Sequence, residues 1–274
     1  MMLAWDLARS LEALAASTKI PLSDLHYLLC EITGLSIPEL SLRKDFPLSE
    51  EKLRLWDLFL SRRQAGEPPQ YITGKAWFYG LELKVTPAVL IPRPETEGLV
   101  QLVLRNLPPN ASIVDIGTGS GAIPIALKLN RPDLKVSATD ISEPALMIAE
   151  ENARKHAADI QFHHTDLLPD PPGKLDAIIS NPPYISTRDY LALPRHIREH
   201  EPETALHAGA DGLDLYRRIL ALAPKVLPKH GLVFLEIGYD QADAIKTIAK
   251  NNGMTILESL PDLAGFDRYI TIRV

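Results

Sequence analysis

Apolar residues recur at helical spacing over the first quarter of the chain. Leu3, Leu7, Leu11 and Leu14 mark one face of a first helix. Leu25, Leu28, Leu29 and Ile32 mark a second, with Ser23 as its expected N-cap. A third segment starts after Ser49, carries Leu53, Trp56 and Leu60, and stops at Gly66 before Pro68 and Pro69. The pattern predicts a bundle of about three helices, with Trp56 in its core and Cys30 as a small buried hydrophobe. Over residues 71–85 the period changes. Tyr71, Trp77, Phe78 and Tyr79, punctuated by Gly74 and Gly80, read as a β-hairpin joining two domains.

Beyond the hairpin, residues 91–97 open a helix with Glu95 and Glu97 in its first turn, favourable to the helix dipole. Strands and helices then alternate. Strands are expected at 112–116, 135–139, 160–164, 176–180 and 232–237, and helices at 122–129, 143–156 and 213–227. A final strand pair is expected at 255–257 and 269–274. Such alternation predicts an α/β fold, a mostly parallel sheet with helices on both faces. The expected domains are a helical bundle at 1–70, a hairpin linker at 71–90 and an α/β domain at 91–274.

Composition narrows the class. The chain has 274 residues with 29 Lys+Arg against 35 Asp+Glu, a formal charge of −6, which argues against a broad basic nucleic-acid-binding face. Residues 1–84 hold 10 basic and 11 acidic side chains, so neither part is basic. The single cysteine excludes an intrachain disulfide framework and fits a reducing cytosol. No apolar run reaches the ~18 residues of a membrane span, and Asp6, Arg9 and Glu12 interrupt residues 1–17, so these do not read as a signal peptide. Proline is in excess, 23 residues against a usual ~5%.

A glycine-rich segment, Val-Asp-Ile-Gly-Thr-Gly-Ser-Gly-Ala at 114–122, links a strand to a helix. Gly117, Gly119 and Gly121 let the backbone turn sharply and approach a ligand, with Thr118 and Ser120 between them. The helix N-terminus beyond offers free N–H groups. Asp140 ends the next strand, where a carboxylate can accept both ribose hydroxyls. The loop alone fits an NAD(P) enzyme or an S-adenosylmethionine enzyme equally.

The tetrapeptide Asn181, Pro182, Pro183 and Tyr184 follows the strand at 176–180, at the sheet edge where open α/β folds bind ligands. Two prolines end a strand, which is its plainest role. They also suit a particular chemistry. The nitrogen of an amide or aryl amine is a poor nucleophile because its lone pair is delocalised. The Asn181 side-chain oxygen and the Pro182 carbonyl can accept both hydrogens of such an NH₂ and orient the nitrogen as a new N–C bond forms. Proline stiffens the acceptor array, and Tyr184 adds a flat wall with a polar tip. A dehydrogenase has no use for this arrangement.

With this tetrapeptide the chain resembles the amino-methyltransferases of the class I S-adenosylmethionine fold, and more closely the HemK/PrmC family of release factor glutamine N5-methyltransferases. The resemblance covers nearly the whole chain. It runs from the helical N-terminal region through Pro-Arg-Pro-Glu-Thr-Glu at 92–97, the glycine loop, Asp140 and the tetrapeptide. Glu-Pro at 201–202, Asp-Gly-Leu at 211–213 and Glu-Ile-Gly at 236–238 complete it. It implies a Rossmann-like fold, S-adenosylmethionine as donor and S-adenosylhomocysteine as product. The implied substrate is the glutamine of a Gly-Gly-Gln loop in class-1 release factors, with a cytoplasmic location, no membrane and no direct nucleic-acid partner. It further implies that residues 117–121 wrap the methionine part, Asp140 holds the ribose, Asp166 and Leu167 flank the adenine, residues 181–184 grip the substrate amide, and Asn181 also contacts the cofactor. It also implies that residues 93–96 close over the methionine end.

Rival readings are adenine-N6 methylation of nucleic acid, since the tetrapeptide can hold an aryl amine, and a cofactor-binding partner protein without catalysis. His196 and His200 match an inverted zinc-protease spacing, but Pro194 and Pro202 bracket them and they read as loop residues. His163 and His164 alternate on a strand and cannot jointly chelate. No metal site is expected. Trp77, Phe78 and Tyr79 suit either a substrate entrance or hinge packing.

Overall fold

The computed structural model describes residues 3–274; Met1 and Met2, where the helical domain was expected to begin, lie outside the described residues. The chain forms two compact units, Met1–Lys75 and Ala76–Val274.

The first unit contains α1 (Ala4–Thr18), α2 (Leu22–Thr33), α3 (Ile37–Leu42), α4 (Glu50–Gln64) and α5 (Pro69–Thr73). Its core joins Leu7, Leu11, Leu25, Leu28, Leu29, Ile32 and Trp56, the positions that the helical period marks. Leu14, Leu53, Leu60 and Cys30 pack against it half-buried, so the cysteine, expected as a small buried hydrophobe, lies at the margin of the core. Two short helices escape the sequence pattern. In α3 only Leu40 is buried, so no stripe announces it. Ser49 caps α4 by accepting the Lys52 N–H. Ser23 does not cap α2: that helix already begins at Leu22, after Pro21, whose ring presets φ at −54°.

A hairpin follows, β1 (Lys75–Phe78) and β2 (Leu81–Lys84), all but Lys75 in the second unit; its Phe78 enters the core while Trp77 stays exposed. Then follow α6 (Thr96–Asn106), β3 (Ser112–Ile116), α7 (Ala122–Asn130), β4 (Lys135–Asp140), α8 (Glu143–Lys155), β5 (Ile160–His164) and β6 (Ala177–Ser180). The chain continues through α9 (Thr187–Ala192), α10 (Arg195–His200), α11 (Asp214–Val226), β7 (Leu232–Glu236), α12 (Ala242–Asn251), β8 (Thr255–Pro261) and β9 (Asp267–Arg273). Seven strands form one sheet in the order β5-β4-β3-β6-β7-β9-β8, parallel except for the last two pairings.

Alternate strand residues feed opposite layers. Ile113, Ile179 and Phe234 meet Leu99 and Val100 of α6 and Ile123 and Ile125 of α7. Val114, Ile178 and Leu235 meet Tyr216, Ile219 and Leu220 of α11 and Ile245 of α12. Both faces are therefore buried, which is why the central strands read as continuous apolar runs.

Four expectations need correction. The terminal strands are longer than the pair expected at 255–257 and 269–274. Residues 196–200 are helical, in α10, and neither α9 nor α10 buries a residue that would have signalled it. An amphipathic helix, α12, lies between β7 and β8 where none was expected. Finally α6 begins at Thr96, because Pro92 and Pro94 keep the preceding segment non-helical; Glu95 is its N-cap and only Glu97 lies in the first turn. Among the described residues no helix is long and apolar enough to cross a membrane.

Candidate active site

From β3 the chain winds outward to β4 and β5, then crosses back to β6 on the other side of β3. This reversal opens a crevice at the carboxyl ends of β3 and β6, the place where open α/β sheets bind ligands. The glycine loop leaves β3 there and the tetrapeptide leaves β6. The buried Ser180 hydroxyl donates to the Ile116 carbonyl at 2.7 Å and holds the two strand ends together.

The loop glycines have φ of +74°, +54° and +79° at 117, 119 and 121. A Cβ at Gly117 or Gly119 would meet nothing within 4 Å, so these positions face open space. The Gly117 and Thr118 N–H groups donate to the Thr139 carbonyl at 2.9 and 3.0 Å. The Gly119 N–H donates to Asp140 Oδ2 at 2.9 Å, and the Ser142 N–H to Oδ1 at 2.9 Å. Asp140 is thus fixed by the loop itself. Each of its oxygens has a second lone pair still to offer a ligand.

Behind the loop stands Asn152, fully buried on α8. Its amide donates to the Ser120 carbonyl at 2.9 Å and the Lys84 carbonyl at 3.0 Å, and its oxygen accepts the Lys84 N–H at 2.7 Å. One side chain therefore ties β2 to the glycine loop. Its signal in the sequence is a polar residue on the face that Ala145, Ile148 and Ala149 bury. Asp115, the acid within the loop segment, is also buried and neither oxygen has a hydrogen-bond partner among the described residues. Burial pushes its carboxyl up to about 7, the Thr118 hydroxyl opposes this, and the charge of Asp140 adds to it.

The crevice holds a cavity of about 350 Å³. Gly117, Gly119, Asp140, Asp166, Leu167, Asn181 and Pro183 line it, facing Val89 and Leu90 on one wall and residues from 202 to 209 on another. Thr118, Ser120, Gly121, Pro182 and Tyr184 are adjacent in the chain but do not line it. Asp166 pairs with Arg218 at 2.6 Å, and the Thr139 hydroxyl donates to the Leu167 carbonyl at 2.6 Å. Arg93 donates to both oxygens of the buried Glu201 at 2.6 Å, joining the two walls.

Asn181 donates its side-chain amide to Thr96 Oγ1 at 3.0 Å. With the NH₂ turned toward Thr96, the carbonyl oxygen is on the side that can accept from a ligand. Tyr184 is half-buried against the α11 layer, and burial raises its phenol above the ordinary range. Its backbone carbonyl accepts from the buried Gln241, a residue with no motif to announce it. Among the described residues no group of three or more metal-ligating side chains occurs, His196 and His200 included.

A cavity of this size lies within the range of small-molecule sites. Open glycine turns on one side and a loop-fixed carboxylate on the next strand fit a donor made of an amino acid and a nucleoside. The Asn181 acceptor lining the cavity at the end of β6 fits an NH₂ group beside it. Fold and site together define a class I, S-adenosylmethionine-dependent methyltransferase.

The model of the methyltransferase small domain matches residues 97–199, and that of the PrmC N-terminal domain matches residues 7–74. The release factor glutamine methyltransferase of Moorella thermoacetica is 45% identical over 261 residues, 93% of this chain and 92% of that one. Its counterpart from Coxiella burnetii is 39% identical over 268 residues, 96% of this chain and 95% of that one. The chain belongs to the release factor glutamine methyltransferase family. A solved methyltransferase structure from Pyrococcus furiosus, 21% identical, superposes with a TM-score of 0.56 over 78% of this chain and 98% of that one, which shows the fold.

Proposed function

We propose that this protein methylates the side-chain amide nitrogen, N5, of the glutamine in the Gly-Gly-Gln loop of class-1 peptide chain release factors. The observation that carries this reading is Asn181 at the switch-point crevice, its NH₂ held by Thr96 and its oxygen left for a substrate amide. When bound, S-adenosylmethionine supplies an electrophilic methyl group and leaves as S-adenosylhomocysteine. In this reading Gly117 and Gly119 cradle the methionine part, and Thr118, Ser120 and Gly121 act through the shape of the turn. Asp140 accepts from the ribose hydroxyls, and Asp166 and Leu167 flank the adenine.

The Asn181 oxygen and the Pro182 carbonyl accept the two hydrogens of the glutamine NH₂. They restrain the nitrogen in line for attack and favour the tetrahedral geometry it adopts as the N–C bond forms. Pro183 and Tyr184 hold that pair rigid. No strong base is needed before attack, because the proton leaves once the nitrogen is cationic. Release factors act in the cytoplasm, and the unpaired Cys30 suits that compartment.

The test supplies labelled methyl donor with a release factor, the same factor lacking its loop glutamine, and duplex DNA in parallel. Label confined to the intact factor is the expected result. Label on DNA alone would instead establish adenine methylation.

A further inference from the structure

Glu236 ends β7, one residue past the last paired rung with β6, Ser180 to Leu235, and so stands beside Asn181. Its side chain is buried and its Oε2 has no hydrogen-bond partner among the described residues. The groups around it come from four neighbouring segments. Glu95 and Thr96 face it from the start of α6, Asn181 and Tyr184 from the loop after β6, and Arg268 and Tyr269 from β9. Tyr216 of α11 donates its hydroxyl to the Glu236 backbone carbonyl at 2.8 Å.

A buried acid is costly to keep ionised, so its presence at this position calls for a role. Hydrogen-bond polarity supplies one. An ionised carboxylate only accepts, a hydroxyl both accepts and donates, and an amide presents donors on one side and an acceptor on the other. The Thr96 hydroxyl and the Asn181 amide are the hydrogen-bonding groups that hold the Glu236 carboxyl down against burial, so Glu236 draws the Thr96 proton toward itself. Thr96 Oγ1 is left with lone pairs for Asn181, which is the bond seen at 3.0 Å. Asn181 must then turn its NH₂ inward and its oxygen toward the substrate.

We infer that Glu236 and Thr96 are positioning residues that set the direction of the Asn181 amide. Protonated Glu236 can donate to Thr96, and Thr96 can then donate to the Asn181 oxygen. The amide flips, and its NH₂ confronts the NH₂ of the substrate, donor against donor. Burial raises the Glu236 carboxyl to about 7, so the two arrangements exchange close to neutrality. Turnover should fall as pH drops through that region, with cofactor binding unaffected. The inference rests on the glutamine-amide reading of the site.

The experiment measures kcat for release factor methylation from pH 5.5 to 9, with S-adenosylhomocysteine affinity by calorimetry, for wild type, Thr96→Val, Thr96→Ser and Glu236→Gln. Thr96→Val should lose kcat by ~10- to 100-fold while keeping S-adenosylhomocysteine affinity within ~3-fold, as expected for lost alignment. Thr96→Ser, which restores the hydroxyl, should recover to within ~5-fold of wild type. Glu236→Gln cannot ionise and should lose the acidic limb of the profile. Wild-type kcat in Thr96→Val, a serine variant as impaired as the valine one, or an acidic limb retained in Glu236→Gln would each overturn the inference. Wild-type enzyme that labels DNA and not the factor would overturn the substrate reading beneath it, an outcome visible before any variant is assayed.

Discussion

Gln241 donates its side-chain amide to the backbone carbonyl of Tyr184 at 2.9 Å. The same NH₂ reaches the Gly212 carbonyl at 3.2 Å, and its oxygen accepts the Gly238 N–H at 3.0 Å. One glutamine thus joins the loop after β6, the entry to α11 and the turn after β7. It also explains the glycine at 212. That residue has φ of +76°, and a Cβ there would lie 2.4 Å from the Tyr184 carbonyl and 2.7 Å from Gln241 Nε2.

Gln241→Leu should therefore slow turnover by loosening the tetrapeptide. Two buried backbone groups and the half-buried Tyr184 carbonyl lose their partner, at ~1–3 kcal/mol for each buried one, and a shift of the acceptors by a fraction of an ångström is felt directly in rate. A fall in kcat of ~10- to 100-fold with S-adenosylhomocysteine affinity within ~3-fold is expected from kinetics and calorimetry. An unchanged kcat would show that the tetrapeptide needs no such clamp.

Asn181→Ala removes the acceptor itself. Most turnover should disappear, by ~100-fold or more, because the amide nitrogen loses one of its two anchors. The glycine loop and Asp140, proposed to hold the cofactor, are untouched, so calorimetric titration with S-adenosylhomocysteine should match wild type. Retained turnover would remove the basis of the mechanism.

Asn152 offers a different readout, since it supports the glycine loop from behind. Asn152→Leu keeps much of the volume but strands the Lys84 N–H and the Ser120 and Lys84 carbonyls without partners. A loss of ~3 kcal/mol or more in urea denaturation is expected, together with ~10-fold weaker S-adenosylhomocysteine binding. A variant destabilised but with full cofactor affinity would show that β2, not the loop, depends on this residue.

These supporting residues mark the limit of what the sequence makes legible. The strand 112–116 coincides with β3 because a buried parallel strand is a short apolar run bounded by turn residues, and 160–164 coincides with β5, an edge strand where Ile160 and Phe162 alternate with polar residues. The glycine loop and the tetrapeptide are legible because their chemistry is local and contiguous. Asn152 and Gln241 are not, since Asn152 bonds Lys84 and Ser120, and Gln241 bonds Tyr184 and Gly212, at separations of 29 residues or more that close only in the folded unit. The short helices α9 and α10 escape for the opposite reason: they bury nothing, so no period betrays them.

Asp115 makes stability depend on pH in a definite direction. Its folded-state carboxyl, about 7, lies above the ordinary 3.8, so the folded chain binds this proton more tightly than the unfolded one. Stability from this group is present below the ordinary value and is lost as pH rises through about 7. Asp115→Asn removes the titration. The variant should be more stable than wild type at pH 8, with the advantage shrinking toward pH 4. Carboxylates that do not interact with position 115 contribute alike in both proteins, so the difference between their urea midpoints reports on this residue. An advantage that did not change between pH 8 and pH 4 would contradict the assignment.

The last prediction concerns the N-terminal unit. Every residue of its core lies within Met1–Lys75, whereas the two cores beneath and above the sheet draw only on Ala76–Val274. The cavity, Asp140 and Asn181 belong to the second unit alone. A chain lacking residues 1–70 should therefore keep its sheet and bind S-adenosylhomocysteine within ~3-fold of the full protein, since none of the lining residues is removed. Its methylation of an intact release factor should collapse if the helical unit grips that substrate. A short peptide containing the Gly-Gly-Gln sequence separates the two tasks, because it needs only the crevice. Equal, slow methylation of the peptide by both forms, with the factor methylated rapidly by the full chain alone, would assign recognition to the helices and chemistry to the sheet. Rapid factor methylation by the truncated chain would place recognition in the second unit instead.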